Sequence, residues 1–259
     1  MDNGEFERQM RALEYFHALR AIPGAWIVLR VDGRSFSRFT ADRFEKPFDA
    51  TLHGYMLATA RALLEELHGL YVYTESDEIS LLLPPAWSLF DREVEKLVSI
   101  SAAIASATFT HACGTIVQFD SRIWLGVNEQ QVVDYFRWRQ EDAARGSLHS
   151  ACYWMLRNEG KSEREATDAL HGASIADKNE LLFARGVNYN DLPAWQRRGA
   201  GVRWEIYEKA GYNPRTQESV VGLRRRAQVD EDLPMKDAYA DYIRAMLATV
   251  QTEDEQQDR

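Results

Sequence analysis

The sequence predicts an α+β fold: a split ferredoxin-like βαββαβ sheet followed by a mostly helical C-terminal part. Three observations predict it. "AWIVLRV" (25–31), "LYVYTES" (70–76) and "EISLLL" (78–83) are apolar runs of strand length, bounded by turn residues. Longer segments with helical composition, 48–68 and 90–112, fall between the strands. After residue 128 the character changes to long amphipathic stretches with helix start and stop signals.

Taken in order, Phe6, Met10, Leu13 and His17 are spaced 4, 3 and 4 apart, one face of a helix over 5–20. "IPG" (22–24) ends it, and 25–31 follows as a buried strand. Residues 48–68, rich in Leu, Met and Ala, read as a helix. The pair "LYVYTES" and "EISLLL", broken at Ser76 and Asp77, reads as a hairpin that Pro84 and Pro85 close. A helix over 90–112 places Val94, Leu97, Val98 and Ser101 or Ala102 on one side, and "TIVQFDSRIWLG" (115–126) is the last extended segment. In this topology the first and third strands are central neighbours, so Asp32 and Asp77 can approach each other. Beyond 128, a proline-free stretch to 158 has helical spacing, with Gly146 a candidate kink. Ser162 with Glu165 and Ser174 with Asp177 are capping-box starts, and Gly172 and Gly186 suit helix stops.

The chain has 259 residues, 45% of them hydrophobic, enough for a real core. It holds no apolar run of membrane-spanning length, and no secretory signal pattern opens it. Its two cysteines, Cys113 and Cys152, make no metal-spaced cluster, so the expectation is a cytoplasmic protein without membrane association. The formal net charge of −9 argues against indiscriminate nucleic-acid binding. Residues 230–259 carry 9 acids and 3 bases of that imbalance, leaving local basic clusters at Arg137 and Arg139, Arg197 and Arg198, and Arg224 to Arg226.

The chemistry-bearing residues sit where apolar strands break. Asp32 ends the first strand beside Gly33, and Asp77 lies in the hairpin next to Ser76 and Glu78. Two hard carboxylates can bind Mg²⁺ and leave positions for substrate phosphates, and glycine lets backbone or phosphate come close. Alone, an Asp-Gly pair is most often a turn. Lys46, before Pro47 near a helix start, can meet a phosphate or be a loop lysine. Lys178 and Asn179 read plainly as an exposed helix face, the six histidines as surface or packing groups. Trp138, between two arginines, can pack in the core or lie against nucleic acid.

Taken together, "RVDGRSFSRF", "FEKPFD", "TESDEIS", "FDSRIW", "DYFRWRQEDA" and "ADKNELLF…GVNYND" resemble the tRNA-histidine guanylyltransferase superfamily, in order from about residue 25 to 200. The resemblance implies a polymerase-like palm domain over residues 1–127 and a helical tRNA-binding and oligomerisation region over 128–259. It implies a metal-dependent nucleotidyltransferase that adds nucleotides in the 3′–5′ direction to the 5′ end of tRNA, with ATP or GTP as substrates. Asp32, Asp77 and the Gly33 carbonyl would hold two Mg²⁺ ions, with Glu78 beside them as a further catalytic group. Asp32, Gly33, Arg34, Ser35, Phe36, Ser37, Ser76 and Asp77 would contact the nucleoside triphosphate, and Lys46 its phosphates. Arg139, Lys178 and Asn179 match positions used around a second nucleotide or the 5′ phosphate, and a homotetramer is implied.

Two departures refine that expectation. The family's "FHRF" is "FSRF" here, with Ser37 in place of histidine. The eukaryotic "HINN" stretch is replaced by Ala144, Arg145, Gly146 and Ser147. Its absence points to the guanylyltransferase-like branch, which repairs 5′-truncated tRNA by templated addition, with tRNA-histidine G−1 addition as the alternative. A palm-type nucleotide cyclase and a catalytically silent RNA-binding module are the remaining rivals.

Overall fold

The computed structural model describes residues 3–213, 215 and 217–257. Among them, the expected strands are β1 (Trp26–Gly33), β2 (Tyr71–Glu75), β3 (Glu78–Leu83) and β4 (Phe119–Gly126). The expected helices between them are α3 (Ala50–Glu66) and α4 (Val94–Cys113), and a short α2 (Phe36–Thr40) follows β1. The sheet order is β4-β1-β3-β2-β5-β6, with every pairing antiparallel. The first four strands thus have the split ferredoxin-like order, and β1 and β3 are the central neighbours.

Two faces of the sheet are buried, which explains the near-continuous apolar runs. Ile27, Leu29 and Val31 of β1 join Ile79, Leu81 and Leu83 of β3 in a core with Leu63 and Leu64 of α3 and Leu97 and Phe109 of α4. On the other face, Trp26, Val28, Tyr71, Tyr73 and Leu82 pack with α5 (Glu129–Asn158) and α9 (Asp237–Gln257). At one end of that second face the apolar alternation stops. Period-two geometry puts Arg30 and Asp32 of β1, Ser80 and Glu78 of β3, and Glu75 of β2 there. The strand breaks seen in sequence are therefore the polar end of one otherwise apolar sheet face.

The chain after 127 is mainly helical, with α6 (Glu163–Leu170), α7 (Ile175–Phe183) and α8 (Ala194–Arg198) besides α5 and α9. Both capping boxes are present, and Gly172 and Gly186 have φ of 70° and 79° at the helix stops. Helix α5 runs unbroken through Gly146. This part also supplies a hairpin that sequence reading did not place, β5 (Ala200–Asn213) and β6 (Glu218–Asp230), which extends the sheet beside β2. The helix expected over 5–20 is shorter: α1 (Asn3–Ala12) ends early, and Phe6, Met10 and Leu13 are exposed.

Candidate functional site

The hairpin turn Ser76–Asp77 is tied directly to the end of β1, because the Gly33 N–H donates to the Asp77 carbonyl at 3.0 Å. Ser76 takes the left-handed φ of 52° that this two-residue turn needs, and its hydroxyl donates to Asp77 Oδ1 at 3.1 Å. Asp32 faces Glu78 across β3 and Asp120 across β4. Burial, then the charge of Asp32, raises the Asp77 carboxyl above its usual pKa; burial, then the charge of Asp120, raises that of Asp32. Asp32 and Asp77 thus share one field.

Gly33 has a packing reason beside the one its sequence suggests. A Cβ built on it would lie 2.2 Å from the Phe36 ring, so the space is already filled by protein. Phe36 is buried and packs on Phe39, Phe109 and Phe119, with ring centroids 5.1–5.4 Å away. It anchors the loop after β1 to the core.

Beside the turn opens a cavity of about 480 Å³. Ser76, Asp77 and Glu75 form one wall, Ser37 and Lys46 a second, and Arg139, Gly146 and Ser147 of α5 a third. Lys46 is fixed by its loop. Asp49 N-caps α3 through Leu52 N at 2.8 Å, and its second oxygen accepts from Glu45 N at 2.9 Å. The ammonium then donates to Thr40 Oγ1 at 2.5 Å. Burial lowers the Lys46 pKa, while Asp77 and then Asp49 oppose that shift. His53, read in sequence as a surface or packing group, is in the wall, stacked 4.2 Å from Trp195 and bonded to Glu231 at 2.8 Å.

The other expected groups divide. Arg34 and Ser35 line a separate hollow on the far side of α2, where Arg34 donates to Gln118 Oε1 at 3.2 Å. Arg139 holds Glu78 in a bidentate pair, with N–O distances of 2.7 and 2.8 Å. The Glu78 carboxylate is thereby engaged. Lys178 and Asn179 do not line the cavity. The Lys178 carbonyl accepts from the Cys152 thiol at 3.3 Å, and Asn179 Nδ2 donates to Ile175 O of its own helix at 2.8 Å.

Sequence reading missed Glu75, Asp120 and Arg30. Glu75 alternates with the buried Tyr71 and Tyr73 on β2, and that period-two pattern was the available signal. Burial first, then the charges of Asp77 and Glu78, pushes its pKa from 4.5 to about 8. Below pH 4.5 the group is protonated in both folded and unfolded chains, so no stability is lost there. As pH rises toward and past 8, the folded chain must carry a buried charge. Glu75→Gln should therefore match the wild type near pH 4.5 and exceed it by roughly 1–3 kcal/mol above about pH 9. Urea unfolding in the presence of chelator checks this, and an equal gain at both pH values would contradict the burial argument.

The donor set suits a hard divalent cation. Two carboxylates raised by burial and like charge gain from a cation between them, and oxygen is the ligand Mg²⁺ selects. Among the described residues, the one trio of His and carboxylate ligand atoms within mutual reach is elsewhere: His17, Glu93 and Glu95. There Glu93 is already met by His17 at 2.8 Å, Lys96 at 3.2 Å and Arg20 at 3.7 Å, which disfavours a further cation. Among the described residues, no helix is long and apolar enough to cross a membrane.

The family described as tRNAHis guanylyltransferase matches residues 7–137, and the one described as Thg1 C terminal domain matches 130–246. A tRNA(His) guanylyltransferase of Neurospora crassa is 32% identical over 256 residues, covering 90% of this chain and 86% of that protein. A bacterial tRNA(His) guanylyltransferase (Thg1)-like protein solved with GTP superposes with a TM-score of 0.71 at 26% identity, over 93% of this chain and 98% of that one. A bacterial Thg1-like protein solved with ATP gives a TM-score of 0.72 at the same identity and coverage.

Proposed function

The chain belongs to the tRNAHis guanylyltransferase family and is a nucleotidyltransferase, and from that premise we propose that it adds guanylate in the 3′–5′ direction to the 5′ end of tRNA(His). The observation that carries this reading is the meeting of Asp32 and Asp77 beside the cavity that holds Lys46 and Ser76. The nucleotides bound to the bacterial relatives support ATP or GTP as occupants of that cavity. The homotetramer implied by the resemblance and the cytoplasmic location expected from the cysteine usage belong to the same proposal.

In this reading Lys46 meets the triphosphate as a point charge, the Ser37 hydroxyl donates to a phosphate oxygen, and the Ser76 hydroxyl does the same by turning from Asp77 Oδ1. Ser37 still bonds phosphate but brings no positive charge, so Lys46 carries more of the neutralisation. Asp32 and Asp77 would hold Mg²⁺, which would assist attack of the incoming nucleotide's 3′-hydroxyl on a 5′ end already activated by ATP or GTP and steady the nucleoside monophosphate that departs, or the pyrophosphate where the end is a triphosphate. Arg139 keeps Glu78 paired, and so keeps a further negative charge away from the incoming phosphates. Lys178 and Asn179, outside the cavity, fit a role at a more distant part of the RNA.

A second reading, templated repair of 5′-truncated tRNA, rests on one local feature. The segment Ala144–Ser147 replaces the family's "HINN", and Gly146 and Ser147 form cavity wall there. The curated relatives named for tRNA(His) favour the first reading over this one.

One assay separates them. Labelled 5′-monophosphorylated tRNA(His) lacking its extra guanylate, and a 5′-truncated tRNA, are incubated with Mg²⁺, ATP and each nucleotide in turn. G addition to tRNA(His), whatever base lies opposite, is the expected result. Growth of the truncated tRNA alone, and only by the pairing nucleotide, would move the assignment to repair. Cyclic nucleotide without RNA growth would overturn both.

A further inference from the structure

The RNA substrate needs a binding surface next to the carboxylates, and one candidate lies outside the nucleotide cavity. Trp138 projects from α5 with 48% of its surface exposed, in a region where Tyr135 and Phe136 are buried. The Arg139 guanidinium carbon is 4.6 Å from its ring centroid and that of Arg30 is 5.7 Å away. Tyr135 meets the ring edge-on at 5.8 Å and itself packs 4.9 Å from Trp124. The Tyr135 hydroxyl is bonded to Ser80 Oγ at 2.9 Å. Trp138 is thus a half-exposed ring, held by aromatic packing on one edge and flanked by two guanidinium groups.

Arg30 supplies a second, independent observation. Its side chain is only 19% exposed, yet among the described residues its buried Nε has no hydrogen-bond partner. The Glu78 carboxylate lies 3.9 Å away, beyond hydrogen-bond range. A guanidinium is built to donate to anions; the Nε itself is closed to solvent, so a phosphate would be met by the exposed part of the group, which lies beside Trp138. Arg30 is also two residues before Asp32 on the same sheet face, a separation of about 7 Å along a strand.

We propose that Trp138 and Arg30 form a subsite for one unpaired nucleotide of the RNA substrate, the base stacking on the indole and the phosphate meeting the guanidinium. The proposal rests on the RNA-directed reading above. Stacking on an aromatic ring is indifferent to base identity, and flanking cations strengthen it. The unpaired 3′ end of an acceptor stem has the required chemistry, since it emerges beside the 5′ terminus that must reach Asp32 and Asp77. Holding that strand on Trp138 keeps its bases out of the cavity while the 5′ end reacts. A second copy of the chain fits less well, because an apolar partner would leave the Arg30 guanidinium without an acceptor.

The experiment uses the full chain and two tRNA(His) transcripts, one with its single-stranded 3′ end and one trimmed to a blunt acceptor stem. Trp138→Ala is expected to weaken binding of the first roughly 10- to 100-fold. Trp138→Phe should restore most of that loss and Trp138→Leu should not. On the blunt transcript the three variants and the wild type should bind alike. Arg30→Gln should lower the slope of binding against salt by about one phosphate contact. Leucine matching the wild type, an equal loss on both transcripts, or a loss confined to free GTP would each overturn the subsite. A wild-type chain that extends no tRNA would instead remove the functional reading on which the subsite depends.

Discussion

Asp77→Asn is expected to remove nucleotide addition by on the order of 10³-fold or more, the several kcal/mol that a catalytic cation contributes, while the chain stays folded. The two halves of this expectation have separate causes. Asp77 is a carboxylate raised by burial and by Asp32, with Ser76 and the turn backbone partly countering that. Its folded pKa lies above its unfolded value of 3.8, so its contribution to stability is fully present below that pH and is lost as pH rises through the folded value. At neutral pH the wild type without metal therefore bears a cost that asparagine does not. The variant's Tm in chelator should be higher by about 2–4 °C, the shift that ~1 kcal/mol gives in a chain of this size. Near pH 4 the difference should vanish. Added Mg²⁺ should raise the Tm of the wild type, by mass action on the folded state, and leave the variant unmoved. Asp32→Asn should behave alike. A variant that keeps the Mg²⁺ response, or is unfolded in chelator, would show that this carboxylate is structural and not a metal ligand.

The convergence of those two groups was legible in the sequence because it depends on short-range signals. Strand length, a two-residue hairpin break and the βαββαβ order together determine where Asp32 and Asp77 must lie. The walls of the cavity were not legible in the same way. Ser37, Asp77, Gly146 and Trp195 come from four separate segments, and nothing local in any of them marks the space they enclose. The β5–β6 ribbon escaped for another reason. Its outer part carries Glu205, Glu208, Lys209, Arg224 and Arg226 among its apolar residues, because β6 is an edge strand and much of the ribbon is exposed. Without a buried face there is no hydrophobic run for strand reading to find. The N-terminal face Phe6, Met10 and Leu13 erred in the opposite sense: the spacing is helical, but the face is exposed and the helix ends at Ala12. Periodicity identifies a face without saying what covers it.

Gly33 shows the same gap between pattern and cause, and gives the second large effect. In sequence a glycine after Asp32 reads as room for a ligand; in the fold the place of its missing side chain is taken by Phe36, with ring atoms 2.2, 2.4 and 2.6 Å from where a Cβ would stand. None of these is the far end of a flexible side chain, because Phe36 is locked among Phe39, Phe109 and Phe119. Alanine must therefore displace either the ring or the end of β1. The first route disturbs the aromatic core, and the second pulls Gly33 from its bond to the Asp77 carbonyl and separates the two carboxylates. Gly33→Ala should cost about 3 kcal/mol, at the upper end of overpacking effects, and should lose addition activity as well. Shortening the obstructing ring tests the cause. Phe36→Leu alone should destabilise through the lost aromatic volume, yet Gly33→Ala placed on that background should cost at least 1 kcal/mol less than in the wild type. Urea unfolding of the four proteins in the cycle measures that coupling. If the two costs simply add, the clash with Phe36 is not why glycine stands here, and a direct requirement of the bound cation or phosphate for an open backbone regains its place as the explanation.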